Sequence, residues 1–105
     1  MNKNYNKWDI VLIKLRRAAK TFKRPALIIS PKQYNSEGLV VILPITSRVD
    51  TRMKQMDYYI TNWKESGLPK PSLVKLRFAT ISVRIIDKKI GTLHEEDVFN
   101  LLNLL

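Results

Sequence analysis

Few residue types here could do chemistry. The chain has 105 residues, no cysteine and a single histidine, His94. Disulfides, cysteine-held zinc and thiol redox chemistry are excluded, and so are a multi-histidine metal site and a nuclease site built on two histidines. Cations dominate: 19 Lys and Arg against 9 Asp and Glu give a net charge of +10 and a pI near 10.1. On one small domain that excess is the electrostatic mark of a polyanion binder. It is also unevenly placed. Lys3, Lys7, Lys14, Arg16, Arg17, Lys20, Lys23 and Arg24 precede residue 25 with only Asp9 among them, whereas Glu95, Glu96 and Asp97 stand together near the C-terminus. Phosphate contact is therefore expected from the N-terminal third. Lys14, Arg16, Arg17, Lys20 and Lys23 are expected to line the backbone path, with Phe22 available to stack on a base. No basic amphipathic helix is present to lie on a bilayer, and no apolar run approaches the length of a membrane span. Nucleic acid is thus the expected partner rather than lipid. The polar, basic start and Asp9 directly after Trp8 do not read as a signal peptide, so the cytoplasm is the expected compartment.

The elements that must position these residues are mostly short and β-prone. The length fits one domain over residues 1–105, able to bury roughly two-thirds of its unfolded surface. Trp8 to Leu15 (WDIVLIKL) reads as a first strand, apolar on both faces, and Arg16 to Arg24 as a basic loop. Pro25 to Ser30 reads as a second strand with the proline at its start, where a missing N–H does least harm. After a turn ending in Asn35-Ser36-Glu37-Gly38, Leu39 to Thr46 (LVVILPIT) is the candidate for the centre of the sheet, with Pro44 suggesting an edge or a bulge. Ser47 to Gln55 reads as a polar loop and Met56 to Thr61 as a strand. Asn62 to Pro71 reads as turns, Ser72 to Ile86 as two short strands and Ile90 to Leu93 as a last one. A terminal helix follows. Thr92 is the expected N-cap, Glu95 completes a capping box, and the acids of the first turn suit the helix dipole. Val98, Leu101, Leu102 and Leu105 then share one face. His94 reads as a helix-start residue, and Trp8 and Trp63 as packing residues. The sum is a mainly β fold, a strongly bent antiparallel sheet close to a small SH3-like barrel, carrying a C-terminal helix.

Three stretches, in order, make the chain resemble the MazF/PemK toxins. The first is WDIVLIKL followed by KRPALIIS. The family shows a Gly-Asp-Ile-Val strand, a loop, then Arg-Pro-Ala/Val; Asp9, Ile10, Val11, Arg24, Pro25 and Ala26 match, with Trp8 where glycine is usual. The second is Pro44-Ile45-Thr46-Ser47, close to the end of the family's third strand. The third is GLPKPSLVKLR, then IGTL and HEED, like the family's Lys-Pro-Ser-Val-Val and Gly-x-Leu segments and its terminal helix. Together they span Trp8 to Leu105. Two departures stand out. The first loop is the basic RRAAKTF rather than a small polar one. Leu76 to Ser82 replaces a segment that begins with an acid, so a carboxylate that assists catalysis in some members has no counterpart.

The resemblance implies an endoribonuclease that cuts single-stranded RNA without a metal or any cofactor, with Arg24 and Thr46 as the catalytic pair. RNA carries its own nucleophile, the 2′-OH, so an enzyme need only orient it and stabilise the charge that builds on the phosphate. Arginine's planar, permanently charged fork suits two phosphate oxygens, and a hydroxyl can donate beside it. Ser47 and Arg48 are further phosphate contacts. The resemblance also implies an acidic antitoxin protein as partner and a two-fold homodimer, which the apolar surface of the sheet, larger than one helix can cover, also favours. Two other readings stand against it: a non-catalytic nucleic-acid- or ribosome-binding small β-barrel module, and a topoisomerase poison of the CcdB kind, for which LLNLL offers no polar handle.

Overall fold

The computed structural model describes residues 4–48 and 57–105. Strands β1 (Asp9–Arg17), β2 (Lys20–Ile28), β3 (Leu39–Thr46), β4 (Tyr58–Tyr59), β5 (Leu73–Val74), β6 (Ala79–Ser82) and β7 (Ile86–Thr92) form one sheet. Its order is β4-β5-β3-β2-β1-β7, with β6 also pairing with β3 and every pairing antiparallel. A one-turn helix α1 (Lys32–Asn35) precedes β3, a 3-10 turn (Val83–Ile85) precedes β7, and α2 (Glu95–Leu102) ends the chain. This is the expected mainly β fold with its terminal helix. Among the described residues no helix is long and apolar enough to cross a membrane.

The sheet is bent so that each face has its own core, which explains the doubly apolar first strand. Ile10, Leu27, Leu43 and Ile45 pack with Leu93 and with Leu101 of α2. Val11, Ile13, Ala26, Ile28, Val40 and Ile42 pack on the opposite side. Trp8 and Trp63 pack against the first cluster, as the sequence suggests. Alternation along β1 and β2 feeds both cores from the same strands.

Several expectations need correction. Arg16 to Arg24 is not a loop: β1 and β2 continue as a hairpin through Arg17↔Lys20, turning on Ala18 and Ala19 alone. Its outer half carries few apolar residues because the second core ends near Leu15, which packs against that cluster and directly opposes Phe22. Pro25 consequently lies within β2, opposite Leu12, at the point where pairing with β3 ends at Ala26↔Pro44. Pro44 marks neither an edge nor a bulge. It sits in the central strand between the rungs to β6, ending at Ile42↔Ala79, and those to β5, starting at Ile45↔Val74. No rung on that flank needs its missing donor. Finally, the N-cap of α2 is His94, whose Nδ1 accepts from the Glu96 N–H at 3.2 Å. Thr92 belongs to β7 and donates to Asp9 instead. On the apolar face of α2, Leu101 is fully buried but Leu102 and Leu105 are exposed. Strand β7 begins at Ile86, earlier than expected, and Met56 and residues 49–55 lie outside the described region.

Three family-pattern positions acquire physical reasons. Trp8 takes φ +78°, the left-handed region that favours glycine. The strain, about 1–2 kcal/mol, is offset by packing on the core and by Lys7, whose Nζ lies 5.1 Å from the indole centroid. Gly91 must be glycine for space: a Cβ there would stand 1.9 Å from the Ser66 carbonyl oxygen. Asp9, in turn, is buried, accepts from the Asn6 N–H at 2.8 Å and pairs with Lys89 at 3.1 Å, so its match to the family pattern serves the fold.

Asp97, unmarked by any sequence signal, anchors α2. It is fully buried and accepts from the Tyr58 hydroxyl at 2.5 Å and from the Thr61 and Asn62 N–H groups at 2.8 Å each. Burial pushes its pKa up, but these donors outweigh burial and hold the carboxyl below its ordinary value. Tyr58 is pushed up to about 12 by burial and by that same hydrogen bond.

Two stability experiments follow from these positions. Ala18 adopts φ +56° at the first turn residue of the hairpin, so Ala18→Gly should stabilise by about 1 kcal/mol, seen as a thermal midpoint raised by about 4 °C; an unchanged or lower midpoint would contradict the turn geometry. A carboxyl whose folded pKa is depressed contributes stability above its unfolded pKa and loses it as pH falls through the folded value. Denaturant titrations of the wild type should therefore show an acid loss below about pH 4, and Asp97→Asn should be less stable at pH 7 and lack that part of the loss. An identical acid limb in the variant would assign it elsewhere.

Candidate functional site

The site lies where β2 and β3 part. Their register, Ala26↔Pro44, continued by two residues sets Arg24 opposite Thr46. Pairing between the strands ends at Ala26, so the two side chains flank an open seam rather than a ladder. A cleft of about 690 Å³ lies on one side, with Ile13, Leu15, Ile42, Ile45 and Ala79 among its lining residues. A smaller cleft of about 460 Å³ lies on the other. Arg24, Pro25, Ile45, Thr46 and Arg48 belong to both.

The electrostatics are one-sided. Among the described residues the larger cleft is lined by Arg17, Arg24, Arg48 and Lys75 against Asp57, and the smaller by Lys23, Arg24, Arg48 and Lys70 with no acid. The Thr46 hydroxyl accepts from the Arg48 N–H at 3.1 Å, which leaves its own hydrogen for a further acceptor. Arg24 is exposed, and its guanidinium lies 5.3 Å from the Phe22 ring centroid; Arg17 lies 5.9 Å from the same ring. The arrangement can hold an anion across the seam with an arginine fork and a hydroxyl donor, over a wall apolar enough to strengthen the contact.

The expected backbone-path residues do not form one face. Directly paired residues of an antiparallel sheet point the same way. Arg17 and Lys20 share the face of Leu15, Phe22, Ile13 and Arg24; Lys14 pairs with Lys23, and Arg16 with Thr21, on the other. Lys23 is further engaged by Asp87 at 3.0 Å, a contact that holds the Asp87 carboxyl below its usual range. Lys23 still borders the smaller cleft, together with Ser47, whereas Lys14, Arg16 and Lys20 line neither cleft. Nor does His94, which caps α2. Phe22 is already taken by two arginines, so a base could stack on it only by displacing one. Lys70, Lys75 and Asp57 were not read from the sequence as site residues. They come from distant loops and strands, and only the sheet order, with β5 beside the end of β3, brings them here.

Residues 6–105 match the model of the PemK-like, MazF-like toxin of type II toxin–antitoxin systems. No curated protein matches the chain in sequence. Among solved structures, MazE–MazF from Deinococcus radiodurans superposes with a TM-score of 0.77 at 18% identity, covering 96% of this chain and 92% of that one. The Mycobacterium tuberculosis toxin MazF-mt6 gives 0.73 at 23% identity, covering 91% and 90%. An endoribonuclease in complex with its cognate antitoxin, from a mycobacterial species, gives 0.76 at 14% identity, covering 99% and 90%. At these identities the likeness shows the fold.

The division of the basic residues between two faces has a measurable consequence. For single-stranded RNA the logarithm of affinity should fall with the logarithm of salt by roughly 0.7 per phosphate neutralised. Replacing Arg17 and Lys20 together by alanine should flatten that slope by roughly 1.4, whereas replacing Lys14 and Arg16 should leave it nearly unchanged. Equal effects of the two pairs would show that strand parity does not set the path.

Proposed function

The chain belongs to the PemK-like, MazF-like toxin family of type II toxin–antitoxin systems, and we propose that it acts as an endoribonuclease cutting single-stranded RNA without a metal. The observation that carries this reading is the Arg24–Thr46 seam between two cationic clefts. With an RNA strand across it, the 2′-oxygen attacks the adjacent phosphorus while the bond to the 5′-oxygen breaks. The 2′-proton passes to solvent, and the departing 5′-oxygen takes one up. The products are a 2′,3′-cyclic phosphate and a 5′-hydroxyl. Arg24 donates two N–H groups to the non-bridging oxygens, where charge builds, and the Thr46 hydroxyl donates to the same phosphate. Arg48 and Ser47 hold the strand beside it, and Arg17 and Lys20 extend the cationic path along the hairpin.

Three further parts of the reading rest on the same ground. Two of the similar structures are toxins held with an antitoxin, and the net charge of +10 suits an acidic partner that fills the clefts and competes with RNA by occupancy. Exposed apolar side chains, among them Leu39, Phe78, Phe99 and Leu102, leave surface for a second copy in a homodimer. The cytoplasm, where mRNA is available, is the compartment in which this activity would operate.

Incubation of a long single-stranded RNA with the protein in EDTA tests the reading. The wild type should cut it. Arg24→Ala, folded as judged by circular dichroism, should lose at least about a hundredfold in rate, the scale seen when a donor to a developing oxyanion is removed, and Thr46→Ala should lose about tenfold or more. Retained binding with no cutting by the wild type would make the protein a non-catalytic RNA-binding module, and wild-type cutting by folded Arg24→Ala would move the site elsewhere.

A further inference from the structure

The hairpin of β1 and β2 carries an arrangement that the family assignment does not explain. Phe22 stands directly opposite Leu15. Arg24, two residues along β2, shares its face, and Arg17 is its diagonal neighbour across the strand pair. Both guanidinium groups lie within cation–π range of the one ring, 5.3 Å for Arg24 and 5.9 Å for Arg17. Phe22 is only half-buried, so it is not a core residue with incidental neighbours. No core cluster contains it.

We propose that Phe22 is a positioning residue: its ring, with Arg17 toward the hairpin tip and Arg24 toward its base, holds both guanidinium groups, so that successive phosphates of a bound strand meet two pre-set forks. The proposal rests on the reading of Arg24 as the phosphate-binding arginine and adds what orients it. A guanidinium stacked on a ring uses its apolar faces and keeps its five N–H donors at the edge. Orientation therefore costs none of the hydrogen bonds that the phosphate needs. On an exposed strand end the alternative is a long side chain free among many rotamers, whose ordering must be met on binding. Two forks set on either side of one ring suit a polyanion rather than a single carboxylate, which would satisfy one fork only.

Phe22→Leu keeps the apolar bulk opposite Leu15 and removes the π-face; Phe22→Trp enlarges that face. In wild type, the δ-methylene and Nε–H resonances of Arg24 and Arg17 should be shifted upfield by the ring, remain so in Phe22→Trp and return to ordinary values in Phe22→Leu. This readout needs no activity, so it judges the positioning even if the protein cuts no RNA. In cleavage, kcat of Phe22→Leu should fall about three- to tenfold with a smaller change in KM, and Phe22→Trp should restore it. In an Arg24→Ala, Arg17→Ala background Phe22→Leu should change binding of a non-cleavable 2′-deoxy oligonucleotide by less than about twofold, because nothing is left for the ring to position. Unshifted arginine resonances in the wild type would overturn the proposal. So would an equal loss from Phe22→Leu with and without the arginines, since that would make the ring a platform for a base instead.

Discussion

At Pro44 the central strand runs out of reasons to be an ordinary ladder, and the rest of the site depends on that point. Strand β3 pairs with β6 as far as Ile42↔Ala79, and with β5 from Ile45↔Val74 onward. On its other flank the pairing with β2 stops at Ala26↔Pro44. A proline fits there because no partner needs the donor it lacks, while its carbonyl still accepts from the Lys75 N–H at 2.9 Å. Past this position β2 keeps β1 and β3 gains β5, so the two strands diverge although their register still aligns. Arg24 and Thr46 are the first pair beyond the last rung that share its face. They are held by well-paired strands on their outer sides and left open between. The backbone is rigid where the side chains begin and committed to nothing where a ligand must enter, the combination a positioned site requires.

Much of this was legible in the sequence where one principle decided the outcome. Leu39 to Thr46 is apolar enough to be read as the sheet's centre, and it is. The acidic first turn of the terminal helix and the two tryptophans as packing residues were also legible. Where the structure departs from the local signals, tertiary partners override them. The hairpin from Arg16 to Arg24 looked like a loop because charge, not alternation, dominates strands that no core covers. For Pro25 and Pro44 the average disruptive effect of proline is a poor guide, because each sits where one flank has no partner. Thr92 looked like a cap because its spacing to Glu95 is right, but it lies in β7 beside Asp9. Asp97 could not have been singled out. Its donors sit more than thirty positions away in the chain, and nothing local distinguishes it from Glu95 or Glu96.

For function, the same contrast separates charge from its placement. Composition alone points to a polyanion, and that inference needs no coordinates. It cannot say which cations act together. Strand parity does: the hairpin sends Arg17, Lys20 and Arg24 to the face of the larger cleft and Lys14 and Arg16 to the other. Sheet order then adds Lys70 and Lys75 from segments far along the chain. The cationic surface at the seam is therefore a product of topology, whereas the basic run in the sequence is spread over two faces.

The central claim is that the seam between β2 and β3 is where the strand is held. It is tested most directly by adding a short single-stranded oligonucleotide, with 2′-deoxy sugars to prevent cutting, to the isotope-labelled protein and mapping the amide shifts. The largest perturbations should centre on Arg24, Thr46, Ser47 and Arg48 and extend along the hairpin to Arg17. Perturbations centred instead on Lys14, Asp87 and Lys88, or on α2, would contradict it.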